Sequence, residues 1–408
     1  GEVFGMVRIV ITFLFALLVS PTAWAANWNQ SKVEVSKPEF TKYFYGETVG
    51  EKDCLNGPVP AHRLKIRSNE DAIKIISSVI GFDWVTEHAK NSNSLSVKHE
   101  KISIPARELF ALTQRAIFLN DEALKSKSKQ LILEIARSKT LMETPSLAEV
   151  KSKGGLCYGG KNDTKAVCKF HVPLFAMQFG ANYLIAASLL KTDMSDDERN
   201  TVTEYADKLY KKFSLPMFVE MHIQKKQFSQ MANGGIALLA YAFWKDDPKL
   251  AQDTFGKIFT NIDRVFLDDG YIKGSSFRGV RGFWYHSYGT NSALAVLALA
   301  DLWQIKAPDK VRSKVKNAAS LLNVGIKNID DFYARPSPDG KQYNASYDEK
   351  DARHHVHQMA IGIAHLAKIA VDVDVNIRDD SGYKRKTPSE YPSDFTIGFN
   401  SNCMSPKP

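Results

Sequence analysis

The sequence predicts an all-α protein in which helix follows helix as a ring of hairpins. Three observations predict it. Apolar residues recur at three- and four-residue spacing through most of the chain. Alternating apolar and polar runs, the mark of a half-buried strand, are few. The connections between periodic segments are mostly short and hold Gly, Asn and Asp, as helical hairpins require.

Taken in order, the spacing predicts helices over Ser103–Phe118, Glu122–Arg137, Pro173–Leu190, Asp196–Phe213 and Met231–Trp244. It continues with Pro248–Phe266, Tyr285–Trp303, Lys310–Asn323 and Arg353–Ala370. With shorter pieces, about ten to twelve helices are expected. Three carry start signals: Ser195-Asp196, Asp247-Pro248 and Pro308-Asp309. Ala26–Arg67 and Asp372–Pro408 read as irregular flanks. Residues 26–371 therefore read as one helical domain, and 372–408 as an irregular tail.

The 408 residues are 44% hydrophobic and 24% charged, which excludes collagen, a long coiled coil and a mainly disordered chain. A formal net charge of +9 favours an anionic partner. The N-terminus narrows the choice. Arg8 precedes the apolar run Ile9–Val19, and Ala23-Trp24-Ala25 supplies a small-x-small cleavage pattern. This is the layout of a secretory signal over residues 1–25, with Met6 as the expected start. The run is short for a membrane span, and no second long apolar segment follows. The mature protein is thus expected to be periplasmic or secreted, soluble, off the membrane and monomeric. Export favours an acidic polysaccharide over nucleic acid as the partner.

Export also changes the reading of the four cysteines, since an even count in an oxidising compartment suggests disulfides. Cys157 and Cys168 flank a Gly/Asn/Asp-rich loop and are expected to pair. Cys54 and Cys403 remain, near the two ends of the mature chain. No Cys/His spacing suits zinc, and no P-loop, GxSxG or dinucleotide fingerprint appears. No cofactor or metal is expected.

The segment Asp268–Trp303 stands out. A Gly/Ser-rich loop leads into a strongly apolar helix, and Arg278, Arg281, Tyr285, His286 and Tyr288 lie at the junction. Tyr285 and Tyr288 follow Arg281 by four and seven residues, so in a helix the three share a face. Arginine offers a permanent charge and a planar fork for a carboxylate. A nearby cation also favours a phenolate, turning tyrosine into a proton acceptor. The same residues read equally as a core aromatic stripe rimmed by arginines.

This stretch resembles the alginate lyases of the all-α toroid type, the mannuronate lyase family. The family pattern is an arginine, a short spacer, then Tyr-His-Asn-Tyr-Ala-Leu leading an apolar helix. Here it stands as Arg281-Gly282-Phe283-Trp284-Tyr285-His286-Ser287-Tyr288. Asp269-Gly270-Tyr271-Ile272 resembles the family's Glu-Gly-Tyr-Leu, and Asn233-Gly234-Gly235-Ile236-Ala237 falls where the family has Asn-His-Ser-Tyr-Trp. The resemblance is clear over about Met231–Gln304 and implies an incomplete (α/α) toroid of antiparallel helix pairs. Arg281, Tyr288 and Asn233 carry over to the family's catalytic positions. His286 matches the histidine inside the motif and takes a supporting role there. Arg278 and Tyr285 are expected to contact substrate. Gly234 replaces the family's site histidine, and Ser287 replaces the motif's asparagine.

The resemblance implies β-elimination on a 1,4-linked polyuronate, most naturally polymannuronate. The rivals are a sister lyase acting on glucuronan or another polyuronate, a polyuronate-binding protein without activity, and an inverting hydrolase. Asp268-Asp269 and Asp330-Asp331 are the acidic pairs a hydrolase reading would need. Arg353-His354-His355-Val356-His357 reads as a basic helix start or substrate patch rather than a metal site. Lys211-Lys212 and Lys225-Lys226 read as solvated faces.

Overall fold

The computed structural model describes residues 68–83, 99–118, 120–152, 171–223, 228–339 and 364–375. The export segment, all four cysteines, Lys225-Lys226 and the Arg353–His357 cluster lie outside the described residues. Within them the chain is all-α. Thirteen α-helices run in order: α1 Asn69–Ser77, α2 His99–Phe118, α3 Glu122–Arg137, α4 Leu147–Ser152, α5 His171–Leu189, α6 Asp196–Leu209 and α7 Leu215–Ile223. They continue with α8 Phe228–Lys245, α9 Pro248–Val265, α10 Gly282–Leu302, α11 Asp309–Lys327, α12 Ile329–Tyr333 and α13 Ala364–Val371. A single antiparallel bridge, Phe266 with Ile272, is the β pairing among the described residues.

The helix starts follow the local chemistry. Ser195 and Glu198 form a capping box on α6, each side chain bonding the other's backbone N–H. Asp247 accepts from the Leu250 N–H, with Pro248 at the first helical position of α9. Pro308 precedes α11 without a side-chain cap. Four helices, α1, α4, α7 and α12, are not among the nine that the spacing names, and α7 is the instructive one. Pro216 suggests a stop near Phe213, yet a π turn over Tyr210–Ser214 carries α6 into α7. Pro216 follows directly on the π turn, a local irregularity of the kind at which a helix takes up a residue without an N–H.

Two layers organise the helices. α2, α5, α8, α10 and α13 pack in succession, each against the next. α3 backs α2, α9 backs α8, and α11 backs α10, while α6 packs on α3 and α5. The sequence already separates these roles. α9 is one-sided, burying Ala251, Phe255, Ile258, Phe259 and Ile262. α5 and α10 are apolar nearly all round, as helices enclosed by others must be. Val172–Leu189 is long and apolar enough to cross a membrane, but 89% of it is buried within the protein, so it is a core helix. Each fully buried Phe or Leu of this core contributes roughly 1.5–3 kcal/mol by leaving water.

The loop between α9 and α10 is held from both sides. Leu267 N–H donates to the Tyr271 carbonyl at 2.8 Å, and Lys273 N–H to the Val265 carbonyl at 2.9 Å, folding the loop back on the end of α9. Gly270 makes the turn with φ +93°, and a Cβ there would lie 2.4 Å from the Asn317 carbonyl carbon of α11. Tyr271 stacks on Phe277 and Phe332, with centroids 5.6 and 5.0 Å away, and its hydroxyl donates to the Phe332 carbonyl at 2.7 Å. The Tyr333 hydroxyl accepts from the Phe283 N–H at 3.1 Å, satisfying an otherwise orphan donor at the start of α10. Gly270→Ala meets both positive φ and a backbone wall. It is expected to lower stability by ~2 kcal/mol or more, read by urea unfolding. Wild-type stability in this variant would contradict the turn geometry.

Candidate active site

α8 and α10 bring Asn233 and Tyr288 together. Asn233 is buried in the middle of α8, 2% exposed, and its Nδ2 donates to the Tyr288 phenol oxygen at 2.6 Å. Ser292, one turn beyond Tyr288 on α10, fixes the amide's orientation. Its hydroxyl lies 3.3 Å from Asn233 Oδ1 and 3.1 Å from the Tyr288 carbonyl, and it donates toward both. With Oδ1 occupied by a donor, the NH₂ side must face the phenol. A third helix joins: Gln178 Nε2 of α5 donates to the same phenol oxygen at 3.4 Å.

Arg281 reaches this group through a tryptophan. It ends a short 3₁₀ turn, Gly279–Arg281, and stands at the N-cap of α10. Its guanidinium lies 5.4 Å from the Trp284 ring centroid, and Trp284 stacks on Tyr288 at 5.9 Å. Residues 281, 284 and 288 form one stripe of the helix, so cation, indole and phenol make a ladder. Tyr285 shares the partly exposed face of Arg281 and Tyr288, as the spacing predicts. Tyr285 pairs with Arg278, whose guanidinium lies 3.9 Å from its ring centroid, and meets Trp284 edge-on at 4.6 Å. Arg278, Arg281, Trp284, Tyr285 and Tyr288 are all partly exposed, so the ladder has a solvent side.

His286 does not join them. It is 0% exposed and lies two residues, about 200° of helix, from Tyr288. Nε2–H donates to the Ala318 carbonyl of α11 at 2.9 Å. Nδ1 therefore accepts from the Ser276 hydroxyl, also 2.9 Å away, which in turn accepts from the Ile272 N–H at 2.7 Å. Burial drops the imidazole to about 4, so it is neutral at physiological pH. Where the sequence suggested a support for the site, the structure places an anchor, tying the Asp268–Arg281 loop to α10 and α11.

Gly234, which stands where the resembling family has a histidine, is tightly packed. A Cβ on Gly234 would lie 3.1 Å from the Phe218 Cα and 3.3 Å from its Cβ, so α7 packs directly on this turn of α8. A Cβ on Gly235 would meet Ile258 of α9 at 2.4 Å. His222, on α7, stacks on Phe218 at 5.9 Å. Partial burial, then the nearby Lys257 and Arg264 charges, hold it below the ordinary histidine value.

The other singled-out residues serve the scaffold. Asp269 accepts from Arg335 Nε at 2.6 Å, and Asp268 reaches Lys314 at 3.7 Å, so this acidic pair anchors a loop rather than facing across a cleft. Asp330-Asp331 fall in the first turn of α12, where acids suit the helix dipole. Lys212 donates to the Met142 carbonyl at 2.5 Å. Among the described residues, no group of three or more His, Cys, Asp or Glu converges as for a metal ion. Sequence reasoning missed Trp284 and Gln178. Trp284 was hidden inside an apolar helix, and the signal for Gln178 was one of two amides, with Asn182, in the otherwise mostly apolar run Val172–Leu189.

Compared with known proteins, the chain matches no family model and no curated protein.

The histidine carries a pH signature. Its folded value of about 4 is below the ordinary 6.5, so its neutral burial stabilises the fold fully above pH 6.5. That contribution is lost as pH falls toward 4, because the unfolded chain then binds a proton the folded one refuses. The stake is on the order of 3 kcal/mol. In His286→Gln the titration is absent. The stability difference between wild type and variant is expected to be flat above pH 6.5 and to fall toward pH 4 in chemical denaturation. A pH-independent difference would refute the anchor.

Proposed function

We propose that the chain is a polysaccharide lyase that cleaves a 1,4-linked acidic polysaccharide, polymannuronate above all, by β-elimination. One observation carries this: a buried, oriented asparagine amide meets a tyrosine phenol that also lies in an arginine–tryptophan ladder. The reading is supported by the motif resemblance and by a net charge of +9, which suits a polyanion. With it goes the finer fold, an incomplete (α/α) toroid, supported by the succession of one helix layer backed by another. Export to the periplasm or medium, action as a monomer and the pairs Cys157–Cys168 and Cys54–Cys403 belong to the same proposal.

The chemistry follows from the residues. The C5 proton of a uronate is weakly acidic while the adjacent carboxylate keeps its full charge. Arg281 and Asn233 draw that charge off and stabilise the enolate-like intermediate. The Tyr288 phenolate takes the C5 proton, and the C5–H electrons form the C4=C5 double bond. The C4–O bond breaks, and Tyr288 returns the proton to the leaving oxygen. The sum is one cleaved glycosidic bond and one unsaturated uronate end, with no oxidant or added water. One residue does both jobs only where proton and leaving group lie on the same side of the ring, as in mannuronate. Glucuronate and guluronate need a second base, and Gly234 offers none where the resembling family has a histidine.

Tyr288→Phe removes one oxygen atom and is expected to lower kcat by about 10² to 10⁴ with little change in polymer binding. Arg281→Ala is expected to raise KM and lower kcat together, since its charge meets the carboxylate before and during reaction. Both are read by growth of unsaturated-uronate absorbance on polymannuronate, with polyguluronate and glucuronan alongside. Wild-type rates in Tyr288→Phe would remove the tyrosine from the mechanism. A wild type that binds a polyuronate and produces no absorbance on any of them would make the protein a binder.

A further inference from the structure

The Tyr288 phenol oxygen is addressed from two helices at once. Asn233 on α8 approaches to 2.6 Å and Gln178 on α5 to 3.4 Å, both through amide N–H groups. Gln178 is only 6% exposed, within a helix whose other faces are packed with apolar side chains. A buried amide costs stability unless its polar atoms are used. The turn that carries it is braced by Asn182, whose Nδ2 donates to the Gln178 carbonyl at 3.0 Å. A phenol oxygen that accepts two N–H bonds gains more as an anion than as a neutral group, because charge-assisted bonds are the stronger ones. The longer contact has room to shorten as charge develops, as catalytic hydrogen bonds do between the free and the reacting state.

We infer that Gln178 is a positioning residue for Tyr288, the second arm of a two-amide cradle that holds the phenolate for proton transfer. This rests on Tyr288 being the proton carrier. The cradle explains how the site manages without an imidazole. Two neutral donors stabilise the charged phenolate from two helices, and neither competes for the proton. Asn233 is locked by Ser292, so the adjustable contribution comes from α5.

The test uses the full-length protein with Q178M, which keeps the length and loses the donor, and Q178E, which keeps the shape and adds an opposing charge. The ionisation of Tyr288 is followed by tyrosinate absorbance, as the difference between each protein and its Tyr288→Phe counterpart. Q178M is expected to move that ionisation up by about one pH unit, and Q178E further in the same direction. The acid limb of the kcat/KM profile on polymannuronate is expected to move with it, an approximately tenfold loss at neutral pH for Q178M. A packing role alone would lower the melting temperature and scale the rate at every pH without moving either titration. Should Q178M unfold, the isosteric Q178E carries the comparison. Unmoved Tyr288 titrations in the folded variants would overturn the proposal. If the ionisation moves as expected but wild type cleaves no uronate polymer, the cradle stands and the lyase reading falls.

Discussion

The hydrogen bond from Asn233 to the Tyr288 phenol is the constraint on which the rest depends. It joins two buried helices across 55 positions of chain at 2.6 Å, a distance that leaves neither helix free to slide. α8 must therefore be narrow where it approaches its neighbours. Gly234 and Gly235 supply that, letting Phe218 and Ile258 close against the turn that carries Asn233. The same closeness leaves little room for a side chain directly after the asparagine.

Polar groups in such a core are costly unless each is satisfied. The amide oxygen of Asn233 is met by Ser292, and its nitrogen by the phenol. His286 spends both nitrogens on Ser276 and Ala318. The second network does for the loop what the first does for the phenol. It pins Ile272 and Ser276 to α10 and α11, so that Arg278 and Arg281 leave the loop at a fixed height beside Tyr285 and Trp284. The two networks lie on opposite sides of α10, one dry and structural, the other partly open.

Much of this was legible in the sequence, for reasons that differ by element. The all-α class followed from spacing, and the starts of α6 and α9 from Ser195 and Asp247, because caps are local chemistry. α7 was not legible, since a proline normally ends a helix and only a π turn carries the chain past Pro216. Asn233, Arg281 and Tyr288 were legible through a motif. His286 was drawn toward them by adjacency in that motif, although two residues of helix turn a side chain to the far face. Trp284 and Gln178 carry no pattern of their own. An aromatic or an amide in an apolar helix reads as packing until the third dimension shows what it touches.

The most direct test is a crystal structure of the Tyr288→Phe protein with a polymannuronate oligosaccharide bound. The account predicts one mannuronate with its C5 facing position 288, within reach of the missing oxygen. Its carboxylate would contact Arg281 and the Asn233 amide. An oligosaccharide seated away from this junction, or one whose carboxylate meets neither Arg281 nor Asn233, would contradict it.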